Sequence, residues 1–135
     1  MSKVIIFDTS VLVDELRTGR HREKIAAIQG LVRISSVVVA ELARGAGSKS
    51  ERRFVEQLAR NRPLLTPTEK NWAESGYLLA EVRSDLGFSP EKLRDLHFDV
   101  LIALTARSCG ARVITANRAD FSLIRRYRKF ELEVW

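Results

Sequence analysis

The chain has 135 residues, of which 45% are hydrophobic and 30% charged, a balance that suits one soluble domain with a continuous core. Lys and Arg outnumber Asp and Glu by 23 to 17, a net charge of +6, which favours a polyanionic partner, and no apolar run approaches the length of a membrane span. The single cysteine, Cys109, excludes an internal disulfide and a thiol-built zinc site.

Short β-type runs alternate with helical segments along the chain. Lys3–Phe7 (KVIIF) reads as a buried strand. It runs straight into acid and hydroxyl residues, unlike a secretory leader, so a cytoplasmic protein is expected. Thr9 and Ser10 are placed to cap a helix, Ser10–Arg17, which ends near Gly19; Arg22–Gln29 is a second short helix. Val32–Ser35 is a short strand, and Ser36 caps a helix of Val37–Ala43 that Gly45 and Gly47 stop. Lys49–Arg60 is amphipathic, with Phe54, Val55, Leu58 and Ala59 on one face.

Leu64–Thr66 is a third strand, between Pro63 and Pro67. Thr68 opens a long helix to about Leu86, closed by Gly87. Ser89-Pro90 opens another to about Ser108, with a break near Leu96–His97 left open. Arg112–Thr115 is a fourth strand, residues 120–126 a last short helix, and Leu132–Trp135 an edge strand. Strands separated by helices require crossover connections. The expectation is one α/β domain over residues 1–135, three layers α/β/α around a parallel sheet of about four or five strands.

Four carboxylates sit beside core-type sequence. Asp8 ends VIIF, Glu41 follows VVVA, Asp99 opens DVLIALTA and Asp120 lies in ITANRADF. A charge in such surroundings must be paired, protonated or metal-bound. Ligands of open parallel sheets bind outside the carboxyl ends of the strands, where Asp8, Asn117 and Asp120 all fall. Asp99 shares a helix face with Ile102, Ala103 and Ala106, which allows close packing while the acid points to the cleft. A hard divalent cation is the simplest common reason for all four.

FDTSVLVD, SSVVVAELARG, HFDVLIALTA and ITANRADF, in this order and spacing, resemble the PIN-domain ribonucleases, and within them the VapC-type toxins of toxin–antitoxin pairs. The resemblance spans about residues 4–121. It implies that Asp8, Glu41, Asp99 and Asp120 form an acidic quartet, supported through hydrogen bonds by Thr9 or Ser10 and by Asn117. It also implies a homodimer, a cognate antitoxin that blocks the cleft, and hydrolysis of RNA to a 5′-phosphate and a 3′-hydroxyl. Asn117 stands where many family members carry a further Asp, which leaves open whether Asn117 or Asp120 is nearer the metal.

The residue types suit that chemistry. Mg²⁺ or Mn²⁺ prefers oxygen ligands, and such an ion lowers the pKa of a water and offsets phosphate charge. Asp8, Asp99 and Asp120 are the candidate metal residues, and Glu41 a candidate to orient or deprotonate the attacking water. Without a cation the four acids repel one another.

Each acid also has a plainer reading: Asp8 or Asp120 as a helix cap, Glu41 paired with Arg44, Asp99 as a helix-surface acid. The single thiol reads as buried and structural, His97 as structural and His21 as surface. The stretch around Trp72, Tyr77, Leu78 and Leu79 reads as core, with a partner groove as the alternative. Basic residues cluster at Arg20–Lys24, at Arg44 with Lys49, Arg52 and Arg53, and at Arg125–Lys129. The second cluster follows Glu41 and is favoured for RNA; with no interleaved aromatic residues, phosphate contacts should dominate.

Other classes fit less well. An aspartyl-phosphate phosphatase wants a second Asp where Ser10 stands; a receiver domain wants a late Lys that VITAN lacks. A housekeeping RNA-processing nuclease and a non-catalytic RNA-binding or protein-interaction module remain as alternatives.

Overall fold

The computed structural model describes residues 3–135. Its strands are β1 (Val4–Phe7), β2 (Leu31–Ser35), β3 (Leu64–Leu65), β4 (Arg112–Thr115) and β5 (Glu131–Val134). They form one sheet in the order β3–β2–β1–β4–β5, and every neighbouring pair is parallel. Helices α1 (Thr9–Thr18) and α2 (Arg22–Ala26) join β1 to β2, and α3 (Ser36–Gly45) and α4 (Lys49–Asn61) join β2 to β3. Helices α5 (Glu69–Leu86) and α6 (Pro90–Cys109) lead into β4, and α7 (Arg118–Tyr127) into β5. The first two crossovers step one way across the sheet and the last two the other way. Right-handed connections therefore place α1–α4 on one face and α5–α7 on the opposite face.

The central strands are apolar because both faces are covered. Ile5, Ile6 and Phe7 are buried, as are Val113 and Ile114 beside them. Val11, Val38, Leu78, Val82, Leu101, Ile102, Leu104, Phe121 and Ile124 complete the core from the helices. No described helix is long and apolar enough to cross a membrane.

Several local expectations shift. The cap of α1 is Asp8, whose Oδ1 accepts from the Val11 amide at 3.4 Å, so the helix begins at Thr9. The cap of α3 is Ser35, whose hydroxyl accepts from the amides of Val37 and Val38 at 3.1 and 3.4 Å. Asp8, just past β1, and Ser35, the last residue of β2, both have the extended backbone that a cap needs. Asn117 caps α7, which starts two residues before the expected 120. Helix α6 is unbroken, because Leu96 is buried and the ring of the neighbouring His97 finds the Ser75 hydroxyl at 2.9 Å.

Three burial expectations fail. Leu78 and Leu79 are core, but Trp72 and Tyr77 on the same helix are 51% and 72% exposed. Cys109 is exposed, because it ends α6 beyond the buried stretch Val100–Ala106. His21, expected at the surface, is buried: its ring packs 5.5 Å from that of Trp135 and lies 3.3 Å from the Asp14 carboxylate. Trp135 also stacks near Phe7, centroids 5.6 Å apart, and its amide donates to the carbonyl of Thr115 at 2.8 Å. The chain end thus lies against the carboxyl rim of the sheet and covers that histidine.

Gly30 enters β2 where the chain passes β1 closely. A Cβ there would stand 2.5 Å from the Lys3 carbonyl oxygen, which accepts the Leu31 amide at 2.8 Å. The contact is with backbone, so it cannot be relieved by a rotamer change. Gly30→Ala should lower stability by roughly 1–3 kcal/mol in urea unfolding; an unchanged midpoint would show that the β1–β2 entry yields freely.

Candidate active site

The strand order changes direction beside β1: the chain leaves β1 towards β2 and later returns on the other side with β4. The crevice at the carboxyl ends of β1 and β4 is the place where such folds hold ligands. Asp8 stands in it. The Asp8 amide donates to the Ile114 carbonyl at 3.0 Å, which continues the β1–β4 ladder by one more bond. Its carboxylate is 2% exposed and accepts from the hydroxyl of Ser10 at 2.7 and 3.0 Å and from that of Thr115 at 2.9 Å.

A second layer of bonds fastens the rim. The Ala116 amide donates to the Ser10 hydroxyl at 3.0 Å, and the Asn117 amide to that of Thr115 at 2.8 Å. Asn117 then caps α7 through the Asp120 amide at 3.2 Å, while its side-chain amide donates to the Asp120 carboxylate at 3.0 Å. Asp120 is therefore not the cap; it is the residue the cap holds. From the other side, Thr9 donates to Glu41 on α3 at 2.7 Å. Glu41 does not pair with Arg44.

Asp99 closes the group from α6. Burial first, then the charges of Glu41, Asp8 and Asp120, push its pKa from the ordinary 3.8 up to about 8. All three other acids are thus near enough to act on it. Asp8 is also raised: burial outweighs the bonds from Ser10, Thr115 and the backbone amides. Of the residues expected from the sequence, Thr9 meets Glu41, Ser10 meets Asp8 and Asn117 meets Asp120, and Asp99 feels the charges of the other three acids. Arg44, Lys49, Arg52 and Arg53 are exposed on α3 and α4.

The donor set is all oxygen and carries excess negative charge, which fits a hard divalent cation. Among the described residues, no three acid, histidine or cysteine side chains close on one point as a ready-made cage. Asp8 is turned to Ser10 and Thr115, Glu41 to Thr9 and Asp120 to Asn117. Such a site suits an ion that keeps several waters and takes one or two carboxylates directly.

One contributor escaped the sequence. Thr115 bonds both Asp8 and the Asn117 amide; its signal was a hydroxyl at the end of the apolar run RVIT.

A model of the PIN domain matches residues 5–127. The chain belongs to the PIN-domain family. Its structure resembles DNA-bound VapBC from Salmonella typhimurium, at 26% identity over 100% of this chain and 99% of that one, with a TM-score of 0.72. It shares its fold with VapBC-1 from nontypeable Haemophilus influenzae, at 23% identity over 98% of each chain and a TM-score of 0.71. It also shares it with VapBC-5 from Mycobacterium tuberculosis, a member of the VapBC family of toxin–antitoxin systems, at 20% identity over 98% of each chain and a TM-score of 0.67. No curated protein sequence matches the chain.

The raised Asp99 has a consequence for metal-free protein. Between the ordinary 3.8 and about 8 the native state binds the proton that the unfolded state releases. Stability should therefore fall as pH rises through that window. Asp99→Asn should flatten the fall and stabilise the metal-free protein at pH 8 by roughly 1–3 kcal/mol. Urea midpoints from pH 4 to 8 measure it; an identical slope in both proteins would deny the charge crowding.

Proposed function

We propose that this chain is a divalent-metal-dependent endoribonuclease, the toxin of a toxin–antitoxin pair, restrained by a cognate antitoxin. One observation carries the reading: the charges of Glu41, Asp8 and Asp120 converge on Asp99 in the crevice between β1 and β4. Carboxylates placed so close in a basic protein oppose folding unless a cation offsets them. Such a concentration of costly groups marks a functional site.

Asp8, Asp99 and Asp120 would hold Mg²⁺ or Mn²⁺, which when bound offsets phosphate charge and makes a water more acidic. Asp8 is the rigid member, because Ser10 and Thr115 fix both its oxygens. Asp99 approaches from a helix already packed into the core. Glu41 is held by Thr9 through one oxygen, Oε1, and its second oxygen is available to orient a water or take its proton. Asn117 keeps Asp120 in place and contributes no charge. The apolar walls limit bulk water and strengthen each charge interaction.

The basic residues of α3 and α4 would carry the substrate. Arg44, Lys49, Arg52 and Arg53 have no ion-pair partner among the described residues. In the other clusters Arg20, Arg22 and Arg128 bind Asp14, Glu15 and Glu74 at 3.3, 3.9 and 3.0 Å, so that only Lys24, Arg125, Arg126 and Lys129 there lack an ion pair among the described residues. An unneutralised cluster is the better phosphate site. The VapBC likeness supports an antitoxin partner and so favours a toxin over a housekeeping nuclease; a homodimer is proposed with it.

Asp8→Asn and Asp99→Asn keep side-chain volume and remove charge. Each should reduce cleavage of RNA by about 100-fold or more, and EDTA should abolish it. Metal-dependent cleavage retained by both variants would refute the assignment; no cleavage by the wild type with either ion would favour the non-catalytic module. Millimolar Mg²⁺ or Mn²⁺ should raise the melting temperature by a few degrees, and should do so less in Asp8→Asn. Induction should arrest growth, relieved by the co-expressed antitoxin; cleavage without arrest would favour a processing role.

A further inference from the structure

Arg44 lies in the last turn of α3, three residues beyond Glu41. Its guanidinium carbon is 5.7 Å from the centre of the Phe98 ring. Phe98 immediately precedes Asp99 on α6 and is half-buried against the core. Glu41 is one helical turn from Arg44, a spacing at which an ion pair readily forms. It bonds Thr9 instead, and Arg44 keeps the ring.

An exposed cation–ring contact adds little to folding stability. A long, free arginine side chain would otherwise sample many rotamers, and the ring restricts it beside the acidic crevice. A restricted, unpaired guanidinium is a planar fork matched to two phosphate oxygens. The ring itself is next in sequence to Asp99, so the brace and the acidic site are built on the same helix turn.

The geometry points to Arg44, braced by Phe98, as the anchor for a phosphate of single-stranded RNA at the mouth of the crevice. Phe98 is its positioning residue. This rests on the nuclease reading and adds to it how the substrate is held. Single-stranded RNA is the favoured form because an unpaired base beside the anchored phosphate can stack on the exposed guanidinium plane. The expectation that phosphate contacts dominate stands; one ring adds to them through an arginine.

The test is binding, separated from turnover. In the Asp99→Asn background with Mg²⁺, a labelled single-stranded oligoribonucleotide is titrated by fluorescence anisotropy at several salt concentrations. Arg44→Ala should weaken binding about tenfold and reduce the salt slope by about one. Phe98→Leu should weaken it several-fold, and Phe98→Tyr should restore it. Combined with Arg44→Ala, Phe98→Leu should add no further loss, because the ring acts through the arginine.

Unchanged affinity in Arg44→Ala overturns the proposal, as does a Phe98→Leu loss that adds in full to that of Arg44→Ala. Phe98→Tyr keeps the ring and serves if Phe98→Leu misfolds; lost binding by folded Phe98→Tyr overturns the bracing role. If the Asp99→Asn parent binds no RNA, the proposal falls with the nuclease reading, an outcome distinct from intact binding that ignores Arg44.

Discussion

A buried carboxylate joins the two central strands of this protein. Asp8 is almost inaccessible, yet it extends the β1–β4 ladder through its amide and gathers the hydroxyls of Ser10 and Thr115 on its oxygens. Hydrogen bonds make burial of that charge tolerable. They also make the rim rigid, because Ser10 and Thr115 receive the amides of Ala116 and Asn117 in turn. One network therefore closes the strand pairing, starts α1 and leads into the Asn117 cap of α7. The scaffold and the site share the same bonds.

Around that network the charges are distributed unevenly. A chain with net charge +6 keeps four acids at one crevice. Nearby positive charges on α3 and α4 are not used to neutralise them: Glu41 goes to Thr9 and Arg44 to Phe98. The two signs remain separate, negative in the crevice and positive on the flank. A polyanion with an accompanying cation satisfies both, which neither set of charges does for the other. This separation is what the proposed function rests on physically.

The helix ends show how strand geometry governs local detail. Asp8 and Ser35 both cap helices one residue earlier than the nearest hydroxyls suggested. Asp8, just past β1, and Ser35, at the end of β2, are already extended, so each side chain faces the first free amides of the helix. Asn117, two residues past β4 and not extended, caps α7 and so takes the role that the sequence offered to Asp120. A change of one position decides whether an acid is a cap or is held for chemistry, and sequence pattern does not resolve one position.

The order of strands and helices, the parallel sheet and the four acids were legible in the sequence, because long apolar periodicity and charges beside it are local signals. Trp72 and Tyr77, on α5, were misjudged because hydrophobicity does not say which helix face has a neighbour. Neither Cys109 nor His21 could be placed without knowing that α6 outlasts the core and that the chain end folds back over α2. Tertiary structure alone revealed the Thr115 contact and the Arg44–Phe98 brace, since each joins residues far apart in the chain. Residue type specifies which groups can meet; only the packing of β1, β4, α3 and α6 brings those groups within reach of one another.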